Sequence, residues 1–168
     1  MKLLIIGAGG HGKVVAEVAE DLGYEVSFLD DNAPEAIGKI EDIEWWTSFE
    51  NAFCGIGNNK FRMEIIERLL KAGYKVPALI HPTAYVSKSA AIDLGVIVEP
   101  KAIVNANSRV GEGTIISVGA IVDHDVVVGK CAHINAGAIV KGGGSVSDYE
   151  KLEAGEVRLG YVNAIVKK

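Results

Sequence analysis

Residues 115–140, IISVGAIVDHDVVVGKCAHINAGAIV, set two histidines and two carboxylates into a run otherwise dominated by small and aliphatic side chains. His124 stands between Asp123 and Asp125, and His133 follows in the same run. A histidine near its ordinary pKa of about 6.5 takes a proton from an amine or hydroxyl at neutral pH, and an adjacent carboxylate orients the ring and favours the charged form. The pair His124–Asp125 therefore suits general-base help to a group transfer. The bland alternative makes both histidines turn residues satisfied by backbone carbonyls. Cys131 lies in the same run without a convincing base, so a covalent intermediate on it is not expected. No metal is expected on His124, Asp125 and His133.

The segment that must position these groups has its own rhythm. An aliphatic residue recurs every six positions from Val86 through Ile92, Val98 and Val104 to Val146. Four positions after each one lies a small or medium side chain, as at Ala90, Val96, Ala102 and onward to Ala138. A period of six matches neither a helix nor a single strand, but it matches short strands joined by turns and stacked into a parallel β-solenoid. Three hexads make one triangular coil, so residues 86–139 supply three coils. Gly144 and Glu150 then occupy the small positions, and SDYEKLEAGEVR reads as non-repetitive. Residues 145–168 are accordingly expected to form a cap or tail, with LGYVNAIV (159–166) as a further strand.

The first 80 residues alternate differently. Strands are expected at 2–6, 25–29, 52–57 and 76–80, and helices at 13–22 and 58–73, with 32–51 open to a short helix or strand. Such alternation implies a parallel sheet covered by helices. The loop GAGGHG (7–12) matches G-x-G-x-x-G between a strand and a helix, where backbone N–H groups and the helix dipole favour a phosphate. Only one βαβαβ half fits before the hexads begin, which favours a mononucleotide over a dinucleotide. A dinucleotide-dependent oxidoreductase would rest on this loop and Asp30 alone. Asp30–Asp31 and Gly57-Asn58-Asn59 leave the same sheet edge, where acids accept hydrogen bonds from a base imide or sugar hydroxyls. Asp30 and Asp31 read otherwise as a turn, and the asparagines as helix caps. The expected division is 1–81, 82–144 and 145–168.

Composition narrows the classes. Seventeen basic and 22 acidic side chains give a formal charge of −5, and no Lys/Arg run of five occurs, so a nucleic-acid backbone is not an expected partner. The apolar run of MKLLIIGAGG is too short for a signal peptide, and no segment approaches the ~18 apolar residues of a membrane span. Cys54 and Cys131 show no metal or redox spacing. A reduced, cytoplasmic protein is expected.

Five stretches in fixed order carry a resemblance over residues 2–142: GAGGHGKVVAEVAEDLGY, FLDD, GIGNNKFR, LIHPTAYVS and IVDHDVVVGKCAHINAGAIVKG. Together they resemble the hexapeptide-repeat family of sialic acid O-acetyltransferases and UDP-4-amino-sugar (bacillosamine-type) N-acetyltransferases. The resemblance implies a Rossmann-like sugar-nucleotide-binding α/β domain followed by a short left-handed parallel β-helix, assembled as a homotrimer. It implies acetyl transfer from acetyl-CoA to an amino or hydroxyl group of a sugar or UDP-sugar, for surface glycan synthesis. By the same resemblance Gly9, Gly10, His11, Asp30, Asp31 and Gly57 contact the sugar nucleotide, and Ser117 falls on a substrate-contacting position that is Asn in some members. His124 becomes the general base, Asp125 the acid that raises its basicity, and His133 and Gly142 contacts to acetyl-CoA. Family members usually add several further coils and a G-x-P-A-K type tail. Here 26 residues follow Gly142, which supports an alternative: a non-catalytic sugar-nucleotide-binding or assembly subunit without CoA binding.

Overall fold

The computed structural model describes residues 1–161. The N-terminal part comprises β1 (Lys2–Ile6), α1 (Gly10–Asp21), β2 (Glu25–Leu29), β3 (Asn51–Cys54) and α2 (Asn59–Lys71). Its three strands are parallel, in the order β2-β1-β3, with Leu3 opposite both Val26 and Asn51. The run LLII makes β1 a central strand buried on both faces, as parallel sheets require. In α2 the buried positions Arg62, Ile65, Ile66 and Leu69 follow the one-face spacing of an amphipathic helix, with an arginine in the first slot. The segment left open between β2 and β3 holds a 3₁₀ turn at Ile40–Trp45. Helix α1 starts at Gly10, ahead of the expected Lys13.

Residues 76–80 do not extend this sheet. Leu79–Ile80 pairs instead with Ile97–Val98 and is the first strand of the solenoid, while Lys75 alone bridges Asn51. Pro77 has no N–H to donate, so a ladder beside β3 ends there.

From β4 (Leu79–Ile80) to β17 (Val157–Arg158), two-residue strands recur every six residues and stack into three parallel sheets of five, five and four strands. The solenoid therefore exceeds the expected 86–139 at both ends. Ile80 precedes the aliphatic row, and Leu152, 0% exposed, prolongs it beyond Val146. Gly144 and Glu150 masked this continuation by breaking only the small positions. Arg158 takes the next slot and donates to Glu150 at 2.6 Å, so charge closes the last coil. Leu159–Tyr161 form no strand, and the remainder of the expected 159–166 strand lies outside the described residues.

The second residue of each strand points inward and the first outward. On the first face, Leu79, Ile97 and Ile115 point out and are buried against Leu3, Val15 and Phe53 of the α/β part. On the second, Tyr85, Ile103, Ile121, Ile139 and Val157 form an outward apolar row, with Tyr85 58% exposed. The third face carries Ala91, Arg109, Val127 and Ser145. At the corners a left-handed backbone recurs every six residues from Gly95 to Gly155. Lys101, Asn107, Asp125, Cys131 and Tyr149 hold that conformation without being glycine.

Candidate active site

His124 lies at the corner between Ile121–Val122 and Val127–Val128, where the second face meets the third, opposite the face that carries the α/β part. Its Nδ1 lies 2.8 Å from Asp125 Oδ2, with both side chains about half exposed. Asn107, one coil below, donates to Asp125 Oδ1 at 3.2 Å. Asp123 Oδ1 accepts from the His124 N–H at 2.8 Å and from Asn105 Nδ2 at 3.3 Å. Both carboxylates are thus braced from the coil beneath. With Nδ1 donating to Asp125, Nε2 is the atom left to accept a proton. The Asp125 hydrogen bond, then the charges of Asp123 and Asp125, raise the His124 pKa above its ordinary value. A Cβ on Gly142, in the next coil, would stand 2.7 Å from Nε2. Glycine there is what leaves Nε2 open.

A second group sits in the seam between α1 and the solenoid. His133 Nε2 lies 3.0 Å from Ser117 Oγ, and His11 Nδ1 lies 3.9 Å from Glu99 Oε1. Glu99 Oε2 accepts the Val118 N–H at 2.8 Å. Burial, then the positive Arg62, pushes both His11 and His133 down to about 4, so both are neutral at neutral pH. Burial raises the Glu99 carboxyl. His11 Nε2 is buried with no hydrogen-bond partner, a polar atom that a ligand oxygen or hydroxyl would satisfy.

Arg62, 1% exposed, ties this seam together. Its guanidinium donates to the carbonyls of Gly113, Ile56, Gly57, Cys131 and Ala132 and to Asn59 Oδ1, over 2.6–3.2 Å. The loop at Gly57 and the coil that leads into His133 are therefore fixed by one side chain.

The glycine loop divides its residues by task. A Cβ on Gly12 would stand 2.0 Å from the Gly7 carbonyl oxygen, so Gly12 serves strand–helix packing. Around Gly9, Gly10 and Gly57 the Cβ positions are open, and α1 begins without a side-chain cap, leaving its first-turn N–H groups available to an anion. Asp30 accepts from the N–H groups of Ala8, Asn32 and Ala33 at 2.8–2.9 Å, which hold its carboxyl below the ordinary value; it shapes the loop. Asp31 accepts from Ile40 N at 3.1 Å and lines a cavity with Lys39, Ile40, Glu41 and Arg68. Asn58 caps α2 through Phe61 N, and Asn59 bonds Arg62 and the Tyr149 carbonyl, so both asparagines are structural.

The expected site residues thus fall into a corner (His124, Asp125, Gly142), a seam (His11, Ser117, His133) and a loop edge (Gly9, Gly10, Asp30, Asp31, Gly57). No hydrogen bond or ion pair among the described residues joins the corner to the other two. Sequence reasoning missed Arg62, Glu99, Asn105 and Asn107. The asparagines had a readable signal: each stands one coil, three hexads, before a carboxylate of the corner.

Comparison with known proteins bears on the family and the fold. The PglD N-terminal domain family matches residues 2–69. The acetyltransferase domain of PglB from Neisseria gonorrhoeae, solved in complex with acetyl coenzyme A, superposes with a TM-score of 0.86 and 39% identity, covering 93% of this chain and 80% of that one. The chain belongs to the hexapeptide-repeat sugar acetyltransferases. Family members in this group carry a left-handed β-helix after an α/β region, the architecture described above. A mutant perosamine N-acetyltransferase from Caulobacter crescentus, in complex with CoA and GDP-perosamine, superposes at a TM-score of 0.84 with 28% identity over 95% of this chain and 89% of that one. UDP-N-acetylbacillosamine N-acetyltransferase of Bacillus subtilis is 34% identical over 108 residues, 55% of this chain. That alignment spans 49% of the curated relative's length. Among the described residues no helix is long and apolar enough to cross a membrane, and no group of three or more His, Cys, Asp or Glu side chains is gathered for a metal ion.

Proposed function

We propose that this protein transfers the acetyl group of acetyl-CoA to an amino group of a nucleotide-linked sugar, with His124 as general base. The observation that carries the reading is the His124 corner: Nδ1 held by Asp125, and Nε2 kept open by Gly142. The sugar amine attacks the thioester carbonyl carbon, its N–H proton passes to His124 Nε2, and the C–S bond breaks to release CoA as the leaving thiolate, which takes up a proton. Asp125 stabilises the imidazolium formed on the way. An amine is favoured over a hydroxyl because two of the named relatives are N-acetyltransferases.

In this reading the nucleotide diphosphate lies on the α1 N-terminus at Gly9 and Gly10, beside Gly57 and Asp31, with Asp30 shaping the loop. Neutral His11, Ser117 and His133 offer hydrogen bonds to sugar and acetyl-CoA groups without competing for the proton. The corner faces away from the chain's own loop, so a sugar held there meets His124 of another copy. The outward apolar row from Tyr85 to Val157 is the surface on which copies associate, as a homotrimer, in the cytoplasm where acetyl-CoA is made available, for surface glycan synthesis. The coil at 145–158 weakens the non-catalytic alternative, which rested on an earlier end to the solenoid.

The test is thiol release from acetyl-CoA with UDP- and GDP-linked 4-amino sugars as acceptors. His124→Ala is expected to lower kcat by ~10²–10⁴ with the fold intact, the usual worth of a general base. Unchanged turnover would sink the proposal, and a monomeric mass by light scattering would sink the shared site.

A further inference from the structure

The His124–Asp125 pair has a third neighbour from outside the coils. After β17 the chain turns back over Gly142, Gly143 and Gly144, and a Cβ on Gly160 would stand 1.9 Å from the Gly142 carbonyl oxygen, so the tail lies directly on this floor. The Tyr161 ring covers Gly143 so closely that a Cβ there would overlap it. Its centroid is 6.2 Å from that of the His124 imidazole, with the planes at 40°. The Tyr161 hydroxyl donates to Asp125 Oδ2 at 3.3 Å, the same oxygen that pairs with His124 Nδ1. Asn107 takes the other oxygen.

We propose that Tyr161 is a positioning residue that sets the proton affinity of His124 by sharing Asp125 Oδ2 and flanking the imidazole. A hydroxyl donor on that oxygen draws carboxylate charge away from the imidazole, so the hydroxyl holds the proton affinity of His124 lower than Asp125 alone would set it. Among the described residues, the charged and titratable groups that face His124 are Asp125, Asp123 and Tyr161, and those that face Tyr161 are Asp125, Asp123 and His124. The ring meanwhile confines the imidazole from the side of Gly143, so Nε2 keeps its direction. This inference rests on the reading of His124 as the base, but its signal is readable without turnover.

The experiment follows the His124 imidazole proton signals through a pH titration by NMR, in the full chain and in its Tyr161→Phe and Tyr161→Ala variants, alongside the pH dependence of kcat/KM. Tyr161→Phe keeps the ring and removes the donor, so the His124 midpoint should rise by about 0.5 pH unit. The acid limb of kcat/KM should rise with it, while the plateau at high pH stays within about twofold of the parent. Tyr161→Ala also frees the ring and should lower that plateau. An unchanged midpoint in Tyr161→Phe overturns the inference. A midpoint that moves while the rate profile stays fixed supports Tyr161 as the tuning residue and instead overturns His124 as the base.

Discussion

The same side chain meets opposite environments at the corner and in the seam. His124 stands half exposed beside a braced carboxylate, which favours its charged form, whereas burial, and after it the positive Arg62, keeps His11 and His133 neutral to about pH 4. At the corner the local structure prepares a proton acceptor, and water can share its charge. In the seam it prepares hydrogen-bonding groups of fixed charge, held by packing rather than by ion pairs. Division of labour between histidines thus follows from which face of the prism the α/β part covers: it buries the first face and leaves the opposite corner open.

The packing of the seam centres on Arg62. Its charge has no carboxylate partner among its bonds; carbonyl oxygens surround it. Arg62→Met would leave those buried acceptors without donors and should cost about 3–5 kcal/mol in urea unfolding. Arg62→Lys should not restore it, because an ammonium cannot reach carbonyls spread around a planar fork. Full stability in Arg62→Lys would show that the seam needs only a positive charge.

Acid should act on the seam before the corner. His11 has a folded pKa of about 4 against about 6.5 in the unfolded chain, so between these values the unfolded state binds more protons. Stability is therefore full above about pH 7 and falls as pH drops toward 4, by at most about 3 kcal/mol from His11. His133, less buried, adds in the same direction. Glu99, raised by burial, works the other way and offsets part of the slope. Thermal unfolding from pH 7.5 to 4.5 reads the difference, and His11→Gln should flatten it.

Asp125→Asn isolates the corner. Removing the carboxylate lowers the His124 proton affinity, so the acid limb of kcat/KM should move to lower pH. The plateau should fall about 10- to 100-fold, since the imidazolium loses its partner. A plateau that holds while the limb moves would make Asp125 a modulator only.

Much of this contrast could be read from the chain, and the rest was hidden for physical reasons. The hexads and the adjacent His124–Asp125 pair are local patterns, legible because the solenoid repeats one steric rule. Allegiance is not local: Leu79–Ile80 looks like one more strand of the α/β sheet, and only the bonds from the Leu79 and His81 N–H groups to the Val96 and Val98 carbonyls assign it to the solenoid. Leu152 kept the aliphatic row, but Glu150 beside it disguised the coil. Arg62 reads as a surface residue until its slot in the buried stripe with Ile65, Ile66 and Leu69 is noticed. Glu99 gave no signal at all, because its burial depends on where the glycine loop docks.

The smallest effect concerns backbone conformation at the corners. Lys101 and Asp125 hold the same left-handed turn, at φ 59 and 56, in successive coils where several equivalent positions are glycine. At Lys101 the side chain makes no hydrogen bond or ion pair with a described residue, so Lys101→Gly should relieve strain and raise stability by less than about 1 kcal/mol, because glycine's extra freedom in the unfolded chain offsets part of the gain. Asp125→Gly removes the same strain but also the bonds to His124, Asn107 and Tyr161. Tm should therefore change little while kcat falls at least as far as in Asp125→Asn. Had the corner been selected for folding alone, glycine would serve at 125 as it does one coil on, at Gly143. A Tm that drops sharply in Asp125→Gly but not in Lys101→Gly would instead make the aspartate a structural clamp between coils, with its closeness to His124 secondary.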